Sequence, residues 1–436
     1  MKLFRKTIFW LHLVIGLVVA IGVALLAGTG LVLAFERPIV AWAERVEAGP
    51  KDAKSAPWSI EELLERAKEI QPDATPTALT VSAGANDPVA VQFGRDRVTY
   101  LNAYTGEKVG TEATALRGFF HTNLELHRQL TLSGDWRSLG RNITGAAAVG
   151  FLVLIVSGLW LWMPRRFSWP AIRAVLVPSL RLKGKTRDWN WHNALGFWAL
   201  LPLLIITLTA NVISYTWASN LLYRAVGEQP PPPREQRQRP ANAQPQGNRE
   251  GGRENNREGG ERREGERAPR PLNVEGLNDL FADAVTYNPN WTSINLRLGN
   301  RRGEGEEGGE GGQGGRGNVS FVVSQGDTTV PFNRVTLHYS RQTGERTRVE
   351  SFGDNTLGRR LRMLVVPTHR GEVLGNFGRS IAALACVAAL VLVYTGLALS
   401  YRRLVRPVLA RVKFRRQPVP SGAPLESGVL LSARTE

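Results

Sequence analysis

The chain has 436 residues, 43% of them hydrophobic, and a formal net charge of +17. That length allows more than one domain, and a single cysteine, Cys386, excludes a disulfide framework and a thiolate metal site. The charge invites a nucleic-acid partner, but its placement argues against one, because the basic residues cluster just outside long apolar blocks.

The first block, Phe9 to Phe35, is long enough to cross a bilayer, which takes about 20 residues. Lys2, Arg5 and Lys6 precede it as they would a signal peptide, and Ala41-Trp42-Ala43 resembles a cleavage site, but the block far exceeds the roughly 7–15 residues of a signal core. It is read as a retained span. Its one ionisable residue, His12, is costly inside a membrane and is by default a functional-site candidate. Residues 36–125 read as a small α+β segment. Trp58 to Leu63 predicts a helix start with Ser59 as cap and Glu62 closing a capping box. Strand-like runs follow at Ala78–Ser82, Val89–Phe93 and Val98–Tyr104.

The second span, within residues 126–166, opens at Gly140-Arg141 and ends in the aromatic anchor Trp160-Leu161-Trp162. A basic connection over 167–189 includes an amphipathic stretch at 168–186. The third span, 190–216, echoes the first. In each, a Gly (Gly16, Gly196) stands four residues after the His (His12, His192), and a Thr (Thr29, Thr209) seventeen after it. A second outer segment covers 217–367 and carries two low-complexity insertions, 228–272 and 302–317. Both lack apolar residues and are expected to be disordered. The fourth span, 368–404, repeats the second: His369-Arg370 echoes His127-Arg128, and Gly378-Arg379 with Thr395-Gly396 echoes Gly140-Arg141 with Ser157-Gly158. A basic tail, 405–436, ends the chain.

The expected fold is therefore an α-helical integral membrane protein, a four-helix transmembrane bundle built from a duplicated unit of span, outer α+β segment and span. Arg and Lys placement puts both termini and the 167–189 connection in the cytoplasm. His12 and His192 then begin helices entering from the cytoplasm, and His127 and His369 precede helices entering from outside, which gives one pair near each face. Paired neutral imidazoles are good ligands for iron, copper or zinc. With no carboxylate in the spans to complete a zinc or di-iron site, haem iron held axially by two histidines is favoured. Gly16, Gly196, Gly30, Gly158 and Gly396 provide close backbone approach. His338 alternates with apolar residues in a strand. His121 is the fallback ligand should His127 lie too far outside.

These stretches, LHLVIG, ELHRQL, SGLWLWMPRR, HNALGFW and THRGEVLGNFGR with the TG and SG pairs, resemble the PepSY-associated transmembrane proteins, which include inner-membrane ferrisiderophore reductases and iron-regulated membrane proteins. The resemblance covers the whole chain except the insertions, and departs at Ala210, where the family usually has Gly. It implies four spans, two periplasmic PepSY-like segments and, in the reductases, two b-type haems, on His12, His192, His127 and His369. The expected activity is electron transfer across the inner membrane, from a flavoprotein or quinol, to a periplasmic ferric chelate. The GxGxxG spacings in the chain, as at Gly303, Gly305 and Gly308, fall inside the Gly/Glu-rich insertion 302–317, without the strand-then-helix setting of a nucleotide-binding fingerprint. The alternatives are a membrane-anchored binding or regulatory protein without redox activity, and a metal transporter using the histidines as a relay.

Overall fold

The computed structural model describes residues 2–48, 56–84, 86–94, 97–110, 112–163, 168–232, 274–298 and 318–415. Among the described residues, three helical stretches are long and apolar enough to cross a membrane: Leu3–Arg45, Gly134–Trp162 and Glu372–Leu409. The first holds helices α1 (Lys2–Leu33) and α2 (Glu36–Ala48). The third predicted span is two helices meeting at a bend, α7 (Gly184–Trp198) and α8 (Leu200–Ser214), and counts as a fourth only if the pair is taken as one. The break has a local cause. Pro202 has no N–H to donate to the Trp198 carbonyl four residues back. The 168–186 stretch forms only a short helix, α6 (Trp169–Leu176), before α7 begins. Insertion 302–317 and all but the first residues of insertion 228–272 lie outside the described residues.

The chain divides into two compact units. The first comprises Met1–Ala24, Val153–Leu200 and Ala388–Glu436, and the second Leu25–Leu152 and Leu201–Val387. Helices α1, α5 (Arg137–Trp162) and α12 (Gly375–Arg415) contribute residues to both.

The second unit holds all the strands among the described residues, and here the architecture differs from two separate outer segments. Strands β1 (Pro76–Ser82), β2 (Val89–Phe93), β3 (Arg97–Leu101) and β4 (Lys108–Val109) come from the first outer segment. Strands β5 (Ser293–Leu298), β6 (Asn318–Ser324), β7 (Arg334–Ser340) and β8 (Arg346–Ser351) come from the second. All eight form one antiparallel sheet, in the order β4-β3-β2-β1-β5-β6-β7-β8. The seam is β1 against β5, with Leu79 opposite Leu296 and Thr80 opposite Asn295. The Asn295 side chain donates to Thr80 Oγ1 at 2.7 Å. One half-sheet alone would expose two edges and a thin core, and joining them removes one edge from each.

Alternation places Leu79, Val91, Leu101, Ile294, Leu296, Phe321, Leu337 and Tyr339 on one face, all buried. Helices α3 (Ile60–Ile70) and α10 (Leu277–Tyr287) cover that face with Ile60, Leu63, Leu64, Leu277 and Leu280. The predicted capping box is present, with Ser59 and Glu62 bonded reciprocally. Each helix start also serves the other: Asn278 Oδ1 accepts from the Ile60 N–H at 3.0 Å, and Glu61 Oε1 from the Asn278 N–H at 3.3 Å. The third predicted strand stops short of Tyr104. Asn102 Oδ1 accepts from the Tyr104 and Thr105 N–H groups and turns the chain at Gly106, whose φ is +67°.

Candidate functional site

In the first unit, His12 on α1 faces His192 on α7, with ring centroids 6.4 Å apart and planes at 88°. Each ring is held through Nδ1. His12 Nδ1 lies 2.9 Å from Ser157 Oγ on α5, and His192 Nδ1 lies 2.9 Å from Thr395 Oγ1 on α12. The hydroxyls fix the tautomer. Ser157 donates its proton to the Val153 carbonyl at 2.6 Å, and Thr395 to that of Val391 at 2.8 Å. A hydroxyl has one proton, so toward the imidazole it accepts, and Nδ1 carries the hydrogen. Nε2 is then unprotonated, with its lone pair directed away from the hydroxyl. A metal-ligating histidine is normally held this way, by its other nitrogen.

The second unit repeats the device. His127 and His369 have ring centroids 6.4 Å apart. His127 Nδ1 is 2.8 Å from Thr29 Oγ1 on α1, which donates to the Leu25 carbonyl at 2.7 Å. His369 Nδ1 is 3.1 Å from Thr209 Oγ1 on α8, which donates to the Ile205 carbonyl at 2.7 Å. It also lies 3.0 Å from the Ile206 carbonyl oxygen. These histidines are not on the spanning helices. His127 is in the last turn of α4 (Glu112–Gln129) and His369 ends α11 (Leu357–His369).

The residue after each hydroxyl explains part of the glycine pattern. A Cβ on Gly158 or Gly396 would stand 3.4 Å from the Cε1 of His12 or His192, and one on Gly30 3.5 Å from that of His127. These glycines make room for the imidazole edge itself. At the fourth position Ala210 takes this place. Gly16 and Gly196 touch no histidine, and a Cβ there would meet only Leu154 or Leu392 at ordinary distance. Two other glycines position the second pair. A Cβ on Gly140 would overlap the Gln129 carbonyl oxygen at the end of α4, and one on Gly378 that of Gly371, just after α11. The turn after α4 carries Leu130 and Thr131 in the left-handed region, at φ of 58° and 57°.

His121 is exposed, 4.0 Å from Glu125, and joins neither pair. His338 lies on β7, 3.7 Å from Glu350. One turn before His192, Asp188 is fully buried between Arg187 at 2.9 Å and Arg402 at 2.6 Å. Among the described residues, no three of His, Cys, Asp and Glu gather as a metal site. Each candidate centre is thus a bare pair of imidazoles. An imidazole nitrogen sits roughly 1.1 Å from its ring centroid and a metal–nitrogen bond is about 2 Å, so two rings ligating one ion from opposite sides stand about 6.2 Å apart. Both observed separations, 6.4 Å, match that span.

The helices and their half-buried histidines define a multi-pass α-helical membrane protein with two duplicated imidazole pairs. The family model described as the PepSY-associated TM region matches residues 9–403, and the chain belongs to that family. No curated protein matches it.

Proposed function

We propose that the protein is an electron conduit across the bacterial inner membrane, in which His12 with His192 and His127 with His369 would each hold one b-type haem and a ferric chelate outside is the acceptor. The observation that carries this reading is the pair geometry: two Nδ1-anchored imidazoles with free Nε2 lone pairs, 6.4 Å between centroids, twice in one chain. Two imidazoles alone would leave a metal under-coordinated, so the pairs suit an iron that arrives with its own macrocycle. Bound haem contributes a one-electron iron couple whose potential follows axial ligand and burial.

The chain's own residues do the rest. Ser157, Thr395, Thr29 and Thr209 hold the rings in the ligating tautomer and raise their basicity. Gly158, Gly396 and Gly30 let the rings approach the helices that carry those hydroxyls. The donor on this reading is a flavoprotein or quinol. A visible spectrum of the purified protein is the test. Sharp b-type bands with two haems per chain are expected, and a colourless protein would return the chain to a membrane-anchored binding role.

A further inference from the structure

The repeat places two arginines in each half beside the second histidine pair. Arg128 and Arg370 follow the histidines, and Arg141 and Arg379 follow the glycines. In the second half both are matched by carboxylates. The buried Arg379 donates to Asp327 at 2.5 Å and to Asn376 at 3.0 Å. Arg370 lies 3.8 Å from Glu372, a carboxylate 4% exposed and also paired with Arg37 at 3.2 Å.

In the first half the carboxylates are missing. Leu130 stands where the repeat has Glu372. Asp327 rides on the long 325–333 connection between β6 and β7, whereas only residues 94–96 join β2 to β3. Among the described residues, no carboxylate comes within ion-pair distance of Arg128, Arg137 or Arg141. Arg137 finds only a neutral acceptor, Gln129 Oε1 at 2.7 Å. Thr144 on α5 donates to the Arg128 carbonyl at 3.0 Å, which sets Arg128 beside the start of the helix that carries Arg137 and Arg141. The three first-half arginines are exposed. A group of guanidinium forks without a counter-ion favours a bound oxyanion, and Arg geometry suits a carboxylate or a phosphate.

We propose that Arg128, Arg137 and Arg141 bind a soluble carboxylate-bearing ferric chelate. The second half supplies the chemistry of the missing group, since there the same two positions are answered by Asp and Glu. The location supplies the role: Arg128 adjoins His127, one of the pair from which electrons leave on the reading above. The proposal rests on that reading only for the iron in the chelate.

The test uses the full chain in nanodiscs of phosphatidylcholine, titrated calorimetrically with ferric citrate and with a neutral ferric trihydroxamate. Wild type should prefer ferric citrate. Arg128→Gln with Arg141→Gln should weaken citrate by about tenfold or more, as loss of charge-assisted hydrogen bonds implies, and leave the hydroxamate unchanged. Arg141→Gln alone, an exposed change, should show a smaller loss in the same direction. Arg348→Gln on the edge strand β8 should change nothing. Equal citrate affinity in wild type and both Arg141 variants would overturn the site. So would discs containing phosphatidylglycerol that reduce wild type to the level of the double variant, because lipid phosphate would then be the occupant. A colourless protein that still binds citrate through these arginines would remove the conduit and keep the site. A two-haem protein indifferent to them would do the reverse.

Discussion

At the scale of single residues, the sites rest on what each imidazole does with its two nitrogens. The four histidines were legible in the sequence, because a titratable group at the edge of an apolar run has few bland reasons to be there. The hydroxyls were visible too, as the recurrent Ser157-Gly158, Thr395-Gly396, Thr29-Gly30 and Thr209-Ala210, but their role was not. It depends on which helix lies beside which: Ser157 serves His12 across 145 residues, and Thr395 serves His192 across 203. No local pattern reports that. Two predictions belong here. His12→Ala and His192→Ala should each remove the same haem, and His127→Ala and His369→Ala the other. A double variant within a pair should then lose one haem, and a double variant across pairs both, read as haem-to-protein ratio. If His12→Ala with His127→Ala removed only one, the assignment of pairs would be wrong. Thr395→Val keeps the shape and removes the acceptor for His192 Nδ1–H. Haem affinity should fall by about tenfold or more, the usual effect of losing such a partner, with the protein still folded. Unchanged retention against a competing haem scavenger would show that the hydroxyl only packs.

At the scale of elements, signals confined to a few residues are legible in the sequence and long-range pairing is not. The capping box at Ser59 and Glu62 lies within four residues, and the strands at 78–82 and 89–93 carry their own alternation. The seam between β1 and β5 joins residues 215 positions apart, as at Thr80 and Asn295, and nothing in either strand announces its partner. Glu228 shows the same limit. By composition it begins the low-complexity insertion, yet its carboxylate accepts from the Gly358 N–H at 2.9 Å and from Thr356 Oγ1 at 2.7 Å, at the start of α11. Anions are favoured there by the unpaired amides of a helix N-terminus. Because one core serves both half-sheets, Leu79→Ala, at 1% exposure, should cost about 2–5 kcal/mol and loosen both halves. Amide exchange should quicken in β6 and β7 as well as in β2 and β3. Faster exchange confined to β1–β4 would mean two independent domains. A pH effect is expected at the other end of the sheet. Asp283 accepts from the buried Tyr339 hydroxyl at 2.6 Å and pairs with Arg346 at 2.7 Å. The Tyr339 hydrogen bond first, and then Arg346, hold its carboxyl below the usual value. A depressed carboxyl contributes stability above its ordinary unfolded value and loses it as pH falls through the folded one. Asp283→Asn should therefore lower the melting temperature at neutral pH, and the gap to wild type should close as the medium is acidified. A gap that widened in acid would refute that sign.

At the scale of the whole molecule, the duplication puts different things in the two units. The unit containing His12 and His192 also contains the connection with Arg173, Arg181, Lys183, Lys185 and Arg187. The unit containing His127 and His369 also contains the eight-stranded sheet. Basic residues beside a span are retained on the cytoplasmic side, and this bias sets orientation when the connection is short. The basic connection should therefore be cytoplasmic and the sheet periplasmic. An electron leaving through His127 and His369 would then be delivered on the side where ferric chelates arrive. The measurement is single-cysteine labelling of intact cells. With Cys386→Ala as background, Lys185→Cys and Gln342→Cys place one thiol each in the basic connection and in the β7–β8 turn, both at exposed positions. A maleimide that cannot cross the inner membrane should reach position 342 once the outer membrane is permeabilised, and position 185 only after the cells are broken. Labelling of 185 in unbroken cells would invert the protein. The electron would then exit inward, and a periplasmic chelate could no longer be the acceptor however well the histidines hold haem.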